Sequence, residues 1–280
     1  MAANRKSYWR PSDSNNNGED KPDSAVFAKT TFMEKNGYVY LPQKFYFPSS
    51  PKKFDPHDLD EIKSTFVNLN PDPYSSGNRY RACSDFFYNS ITSSFDVYKV
   101  PLYQRPEFNS VDGGKVRFYD SIDDRLYENP AFNTLINKDI EMVKQLGTVT
   151  FDKSLLLEIL QVRYSPGILP SYSTPSWLYI DDEDVTIVHL IHVDENIIGG
   201  DTVISEDISG KNITKVLRLS KPFDTYMTNQ TKFHAVTPMA KNVIDEEENE
   251  KDNEEDQSRY VFIVSFRNVA DDEEVLKHIS

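Results

Sequence analysis

A single cysteine, Cys83, in a chain of 280 residues leaves no partner for an intrachain disulfide and implies a reducing compartment. No apolar run approaches the roughly 20 residues that cross a bilayer, and the N-terminus carries no apolar signal core. The expectation is therefore a soluble, cytoplasmic protein without a membrane partner. Basic excess is missing too: 31 Lys and Arg stand against 45 Asp and Glu, a formal net charge of −14. Counterion release from a phosphate backbone needs the opposite balance, which excludes nucleic acid. Phosphate-cradling glycine loops, zinc-finger spacings and nucleophile elbows are absent as well.

What is present suffices for one core, with 38% hydrophobic and 12% aromatic residues. Residues 1–25 have no periodic apolar face and read as a disordered tail. Region 26–150 reads as helical and mixed support. Val26, Phe27, Phe32 and Met33 suit a short helix that Gly37 can cap, followed by a strand at Tyr38–Leu41. Leu59, Ile62, Phe66 and Leu69 share one face of a helix over Pro56–Leu69, and Phe132 to Leu146 mark another over Asn129–Leu146. Arg79–Tyr88 mixes Arg with aromatics, which suits either an anion site or packing. Asp112-Gly113-Gly114 signals a tight turn before a strand-like Lys115–Tyr119.

Beyond Thr148 the pattern changes to short strands: Leu156–Tyr164, Asp184–Val193, Thr202–Ser205, Thr214–Leu219, Thr225–Thr228 and Tyr260–Phe266. Strands in series after helices predict a mainly β protein with N-terminal helices (α+β), its core at 151–270 a jelly roll. An acidic insertion at 244–257 cannot bury apolar surface and reads as a disordered loop, open to a protein partner. Residues 271–280 form a C-terminal tail.

Four segments, PEFNSVDGGKVRF (106–118), IIGGD (197–201), FHAVTP (233–238) and SRYVFIVSFR (258–267), resemble the small 2-oxoglutarate and iron dioxygenases that include bacterial isoleucine and leucine hydroxylases. They arrive in the family's order, over about Tyr38 to Arg267. The resemblance implies a double-stranded β-helix that holds Fe(II) on a His-x-Asp pair and a later His, with 2-oxoglutarate as co-substrate and a small molecule, such as a free amino acid, as substrate. It matches the later His to His234. It matches the arginine that meets the distal carboxylate of 2-oxoglutarate to Arg259, with Arg267 as the fallback because the acidic insertion lengthens the intervening segment.

The chain departs from the family at the first pair. Aligning SYSTPSW and DVTIVHLI puts Asp181, Asp182 and Glu183 where the family has His-x-Asp. Asp181 and Glu183, on one side of an extended segment, can join His234 as metal ligands, and two anionic ligands favour hard ions such as Mn(II) or Mg(II). The same residues read equally as a solvated acidic turn. A literal His-x-Asp exists at His192-Val193-Asp194, later than the family places its pair. His189 suits a packed position, Cys83 a small buried thiol. Arg163 is a candidate for a substrate carboxylate, against a surface arginine. The leading function is hydroxylation of a free amino acid. The alternative is a catalytically inactive jelly roll that serves as a binding or regulatory module.

Overall fold

The computed structural model describes residues 6–10, 24–48, 54–75, 78–109, 113–173, 177–242, 257–270 and 277. The chain opens with a two-residue strand β1 (Ser7–Tyr8), then α1 (Ser24–Asn36). Gly37, at φ 74°, closes α1 by returning its N–H to the Met33 carbonyl at 2.7 Å. A Cβ there would sit 2.2 Å from Thr231 Oγ1, so glycine is required on steric as well as conformational grounds. Strand β2 (Tyr38–Leu41) and the short helix α2 (Gln43–Tyr46) follow. Helix α3 (Pro56–Val67) starts where Asp55 accepts from His57 N–H, with proline in the first turn.

Strands β3 (Arg79–Asn89) and β4 (Ser94–Tyr98) form a hairpin. A 3₁₀ turn at Asp124–Glu128 leads to α4 (Pro130–Leu146), capped by Asn129 accepting from Phe132 N–H and ended by left-handed Gly147. The rest is strand: β5 (Leu155–Tyr164), β6 (Val185–Val193), β7 (Ile197–Ile198), β8 (Thr202–Ser205), β9 (Ile213–Leu217), β10 (Thr225–Asn229), β11 (Phe233–Val236), β12 (Ala240–Lys241) and β13 (Arg259–Asn268).

One eight-stranded antiparallel sheet runs β1-β4-β3-β5-β13-β6-β10-β2, and β11-β8-β9 makes a second, smaller sheet. Side chains alternate across a strand, so the large sheet has two different faces. Leu157, Ile159, Ile187, Phe262, Val264 and Phe266 join the helices in the larger core, where Phe66 stacks on Tyr260. Their neighbours Leu160, Val162, Val188, Leu190 and Val261 face the other way and pack with Ile204 and Leu217 of the small sheet. Two facing antiparallel sheets, helices outside the larger one, make the predicted jelly roll.

Some expectations change. The stretch through residue 25 is not structureless throughout: Ser7 and Tyr8 pair with Asp96 and Phe95, and Trp9 is buried with its indole N–H on Asn133 Oδ1 at 2.7 Å. An aromatic dipeptide in a polar tail has no periodicity to reveal it. The support region adds β2, β3 and β4 to the main sheet rather than standing apart from it. Lys115–Tyr119 forms no strand, only a single bridge from Arg117 to Leu102. Asp112, the acidic insertion from 244 to 256 and nearly all of the C-terminal tail lie outside the described residues.

Candidate active site

Between the sheets lies a cavity of about 470 Å³, walled by β3, β5, β6, β10 and β13 on one side and by β11 and the segment around Tyr179–Glu183 on the other. His234 enters from β11, whose backbone pairs with Tyr179 through reciprocal N–H to carbonyl bonds of 2.9 and 3.1 Å. This bridge fixes the register of the acidic segment. Asp181, two residues beyond Tyr179, projects to the same side and brings Oδ2 to 3.4 Å from His234 Nε2. Glu183, two further on, lines the same cavity. Burial, and then the Asp181 charge, push its carboxyl up to about 8.

Asp182 points the other way. It is buried, takes the Arg105 side chain and backbone N–H at 2.8 and 2.9 Å, and meets Arg267 Nη1 at 3.0 Å. The segment is therefore neither solvated nor a turn that swings freely. It is clamped through its middle residue while its outer two face the cavity.

Arg259 stands at the start of β13, only 4% exposed, with Nη1 donating to the Gly200 carbonyl at 2.8 Å. No carboxylate lies within 4.0 Å of it among the described residues. Burial lowers its pKa, against the opposing pull of Tyr164, Tyr226 and Asp201. Gly200 permits this approach: a Cβ there would sit 2.3 Å from Arg259 Nη1.

The fallback Arg267 is on the same strand face but is committed to Asp182 and to the Tyr103 carbonyl. Arg163 departs from expectation. Alternation along β5 turns it to the helix side, where it donates to the Val67 carbonyl at 3.0 Å and lies 3.9 Å over the Tyr80 ring, outside the cavity lining. His192 and Asp194 bond each other at 2.9 Å, with His192 against the Tyr260 ring on the helix side. Asp194 also caps Ser258 N–H. His189 is fully buried between Asp139 Oδ2 (2.7 Å) and Thr225 Oγ1 (2.8 Å). Cys83 is buried, as expected.

Sequence reasoning missed Arg117 and Glu158, both buried in the cavity wall. Glu158 had a signal: it is the lone carboxylate in the otherwise apolar or neutral run LLLEILQV, and a buried charge requires a reason. Arg79 and Arg81 do line the cavity, yet both lean on Asp72, at 2.8 and 3.6 Å.

Whether a divalent metal fits is decided by the unsatisfied atoms. Asp181 Oδ2 and His234 Nδ1 are buried without a hydrogen bond, and His234 Nε2 faces the carboxylate. That pair suits a metal ion. Glu183 supplies a third candidate ligand, a second carboxylate, on the same wall, but among the described residues the three do not bring ligand atoms within 4.8 Å of one another. Among the described residues, Cys83, Asp85 and Glu158 do converge so closely. There burial raises both carboxyls, the Glu158 charge helps to keep the Asp85 proton on, and Arg267, Arg117 and Arg81 only offset part of the rise at Glu158, so the cluster retains a proton rather than offering a set of free anions.

Comparison with known proteins identifies the family. The family model described as 2OG-Fe dioxygenase matches residues 63–250. The 3(1)-hydroxy-L-isoleucine 4-dioxygenase of Pantoea ananatis is 34% identical over 219 residues, 75% of this chain and 86% of that protein. The L-isoleucine-4-hydroxylase of Bacillus thuringiensis is 33% identical over 222 residues, 77% of this chain and 88% of its own. The crystal structure of IDO from Bacillus thuringiensis superimposes with a TM-score of 0.72 at 25% identity, covering 87% of this chain and 99% of that one. By the family match and by its likeness to these relatives over three quarters of its length, the chain belongs to the 2OG-Fe dioxygenase family.

Proposed function

We propose that this chain is an Fe(II)/2-oxoglutarate-dependent oxygenase that hydroxylates a free amino acid. The observation that carries the reading is Arg259, a buried guanidinium without an ion pair on the wall of the cavity that also holds the Asp181–His234 pair. An unpaired buried cation is costly, and a planar fork suits the distal carboxylate of 2-oxoglutarate. His234 and Asp181 would hold the metal, and Glu183 would offer a further carboxylate on the same wall. Iron and 2-oxoglutarate, when bound, supply the oxidising power: oxygen and 2-oxoglutarate give succinate and carbon dioxide, and one oxygen atom enters a C–H bond of the substrate.

The protein's own contribution is placement. The Gly200 carbonyl aims Arg259, the Tyr179 bridge sets His234 against Asp181, and apolar Leu160, Val188, Val261 and Ile263 line the same space and keep water from it. The amino acid substrate class is taken from the names of the relatives from Pantoea ananatis and Bacillus thuringiensis. Incubation with Fe(II), ascorbate, 2-oxoglutarate and a panel of L-amino acids should yield succinate together with a hydroxylated product. Equal succinate from wild type and His234→Ala would remove the reading.

A second reading rests on the separation of Glu183 from the Asp181–His234 pair: a jelly roll that binds ligands without turnover. Asp181→His separates the two. A gain of iron-dependent turnover from an inactive wild type supports the second reading, and turnover by the wild type supports the first.

A further inference from the structure

The charges that line the cavity, with those just behind it, can be paired off one by one. Arg79 and Arg81 belong to Asp72, Arg105 and Arg267 to Asp182, and His234 to Asp181. Arg117, Arg259, Glu158 and Glu183 also line the cavity, all buried, and none of them has an ion pair within 4.0 Å among the described residues. Arg259 is accounted for by the co-substrate and Glu183 by the metal end. Arg117 and Glu158 are left over.

Both carry an unused atom. Arg117, 4% exposed, gives Nη2 to Gln104 Oε1 at 2.8 Å, and its Nε has no hydrogen-bond partner. Glu158, 5% exposed, leaves Oε1 without one. In a native interior such atoms are rare and costly, so a donor of positive charge and an acceptor of negative charge left open on one wall describe a ligand with both signs. The two are near enough to act on each other electrostatically, yet they do not close into an ion pair.

Asp85 faces Glu158 in register across β3 and β5 and retains its own proton under burial and the Glu158 charge. Burial raises the Glu158 carboxyl above its ordinary range, and the positive charge of Arg267, Arg117 and Arg81 offsets part of that rise; an ammonium group placed on Oε1 adds charge of the same sign. Gln104 ties the pair to the metal end, taking Arg117 on Oε1 and reaching Glu183 through Nε2 at 3.5 Å. A ligand held between Arg117 and Glu158 thus lies on the same wall as the metal-end carboxylate, with its apolar part free to extend along Leu160 and Ile263.

We propose that Arg117 and Glu158 form the subsite that reads the zwitterionic end of an α-amino acid, Arg117 taking its carboxylate and Glu158 its ammonium group. This rests on the amino acid reading above and deepens it by naming specificity-determining residues. The pattern also sets the substrate apart from a simple carboxylic acid, which would satisfy Arg117 and leave Glu158 open.

The test is equilibrium binding by calorimetry to the full chain loaded with Mn(II) and 2-oxoglutarate. The probes are the common L-amino acids and, for the tightest of them, its deaminated acid and its decarboxylated amine. Glu158→Gln should weaken the amino acid about 10- to 100-fold, the scale of a lost charged hydrogen bond, and leave the deaminated acid unchanged. Arg117→Gln should weaken the amino acid and the deaminated acid but not the amine, with Arg117→Lys recovering part of the loss. Unchanged 2-oxoglutarate affinity in each variant reports an intact fold. Amino acid binding that neither substitution moves overturns the proposal and leaves the amino acid reading standing. A wild type that binds 2-oxoglutarate but no amino acid overturns both.

Discussion

The two faces of the eight-stranded sheet are built from alternate residues of the same strands and hold buried polar groups differently. On the helix side, His189 is enclosed by Asp139 and Thr225 with both ring nitrogens engaged, and Tyr46 adds its hydroxyl to Asp139 at 2.9 Å. On the cavity side, Arg117, Arg259 and Glu158 are equally buried and have no ion pair among the described residues. Pairing by itself does not separate the faces, since Arg163 on the helix side also leaves its Nε without a partner; what distinguishes the cavity side is that its unpaired charges border open space.

Breaking this comparison should produce separable effects. The largest is on activity: His234→Ala should reduce turnover by several orders of magnitude, while its thermal midpoint stays within a few degrees of wild type, because only the cavity side is touched. Steady-state succinate release and a melting curve measure both. Next in size is a helix-side truncation. Phe262→Ala removes a fully buried ring packed on Phe66 and Phe132 and should cost about 3–5 kcal/mol in denaturant unfolding. A similar loss from Arg259→Gln would erase the distinction between the faces.

His189→Phe probes the satisfied network directly. It removes the imidazole from Asp139 Oδ2 and from the Thr225 hydroxyl, leaving Tyr46 on Asp139 Oδ1 and the Phe223 carbonyl on Thr225, and should cost about 1–3 kcal/mol of unfolding free energy with little change in 2-oxoglutarate affinity. A stabilised variant would show that the network is dispensable.

The smallest effect is in pH dependence. Burial and Glu158 raise the Asp85 carboxyl well above its ordinary range, so the folded state holds a proton that the unfolded chain releases near pH 4. Stability from this group is complete below that unfolded value and declines as pH rises toward the raised one. Asp85→Asn should flatten the decline between pH 5 and 8 in denaturant titrations. An unchanged slope would mean that Asp85 is not the proton holder.

Much of the fold was legible because it rests on local signals. Gly37 marked a helix end, the apolar spacing of Leu59 to Phe66 and of Phe132 to Leu146 marked two helices, and Thr202–Ser205 and Tyr38–Leu41 emerged with the expected bounds. The short strand carrying His234 and the hairpin strand Ser94–Tyr98 lacked an alternating run long enough to detect. At the site, the family resemblance pointed to His234, Asp181, Glu183 and Arg259, and all four line one cavity. Arg163 failed because the phase of a strand decides which wall an arginine serves, and one residue of shift exchanges the walls. Arg117 was hidden for the converse reason. It reaches the cavity from a bridge rather than a strand, with no periodicity around it.

The turn after β6 is also an anchor for two distant parts of the chain. Asp194 binds Ser258 through both its backbone N–H and its carboxylate, at 3.1 and 2.6 Å, while the Asn242 N–H reaches the Asn196 carbonyl at 2.8 Å. Ser258 precedes Arg259, so the turn that ends β6 sets where the strand that carries this guanidinium begins.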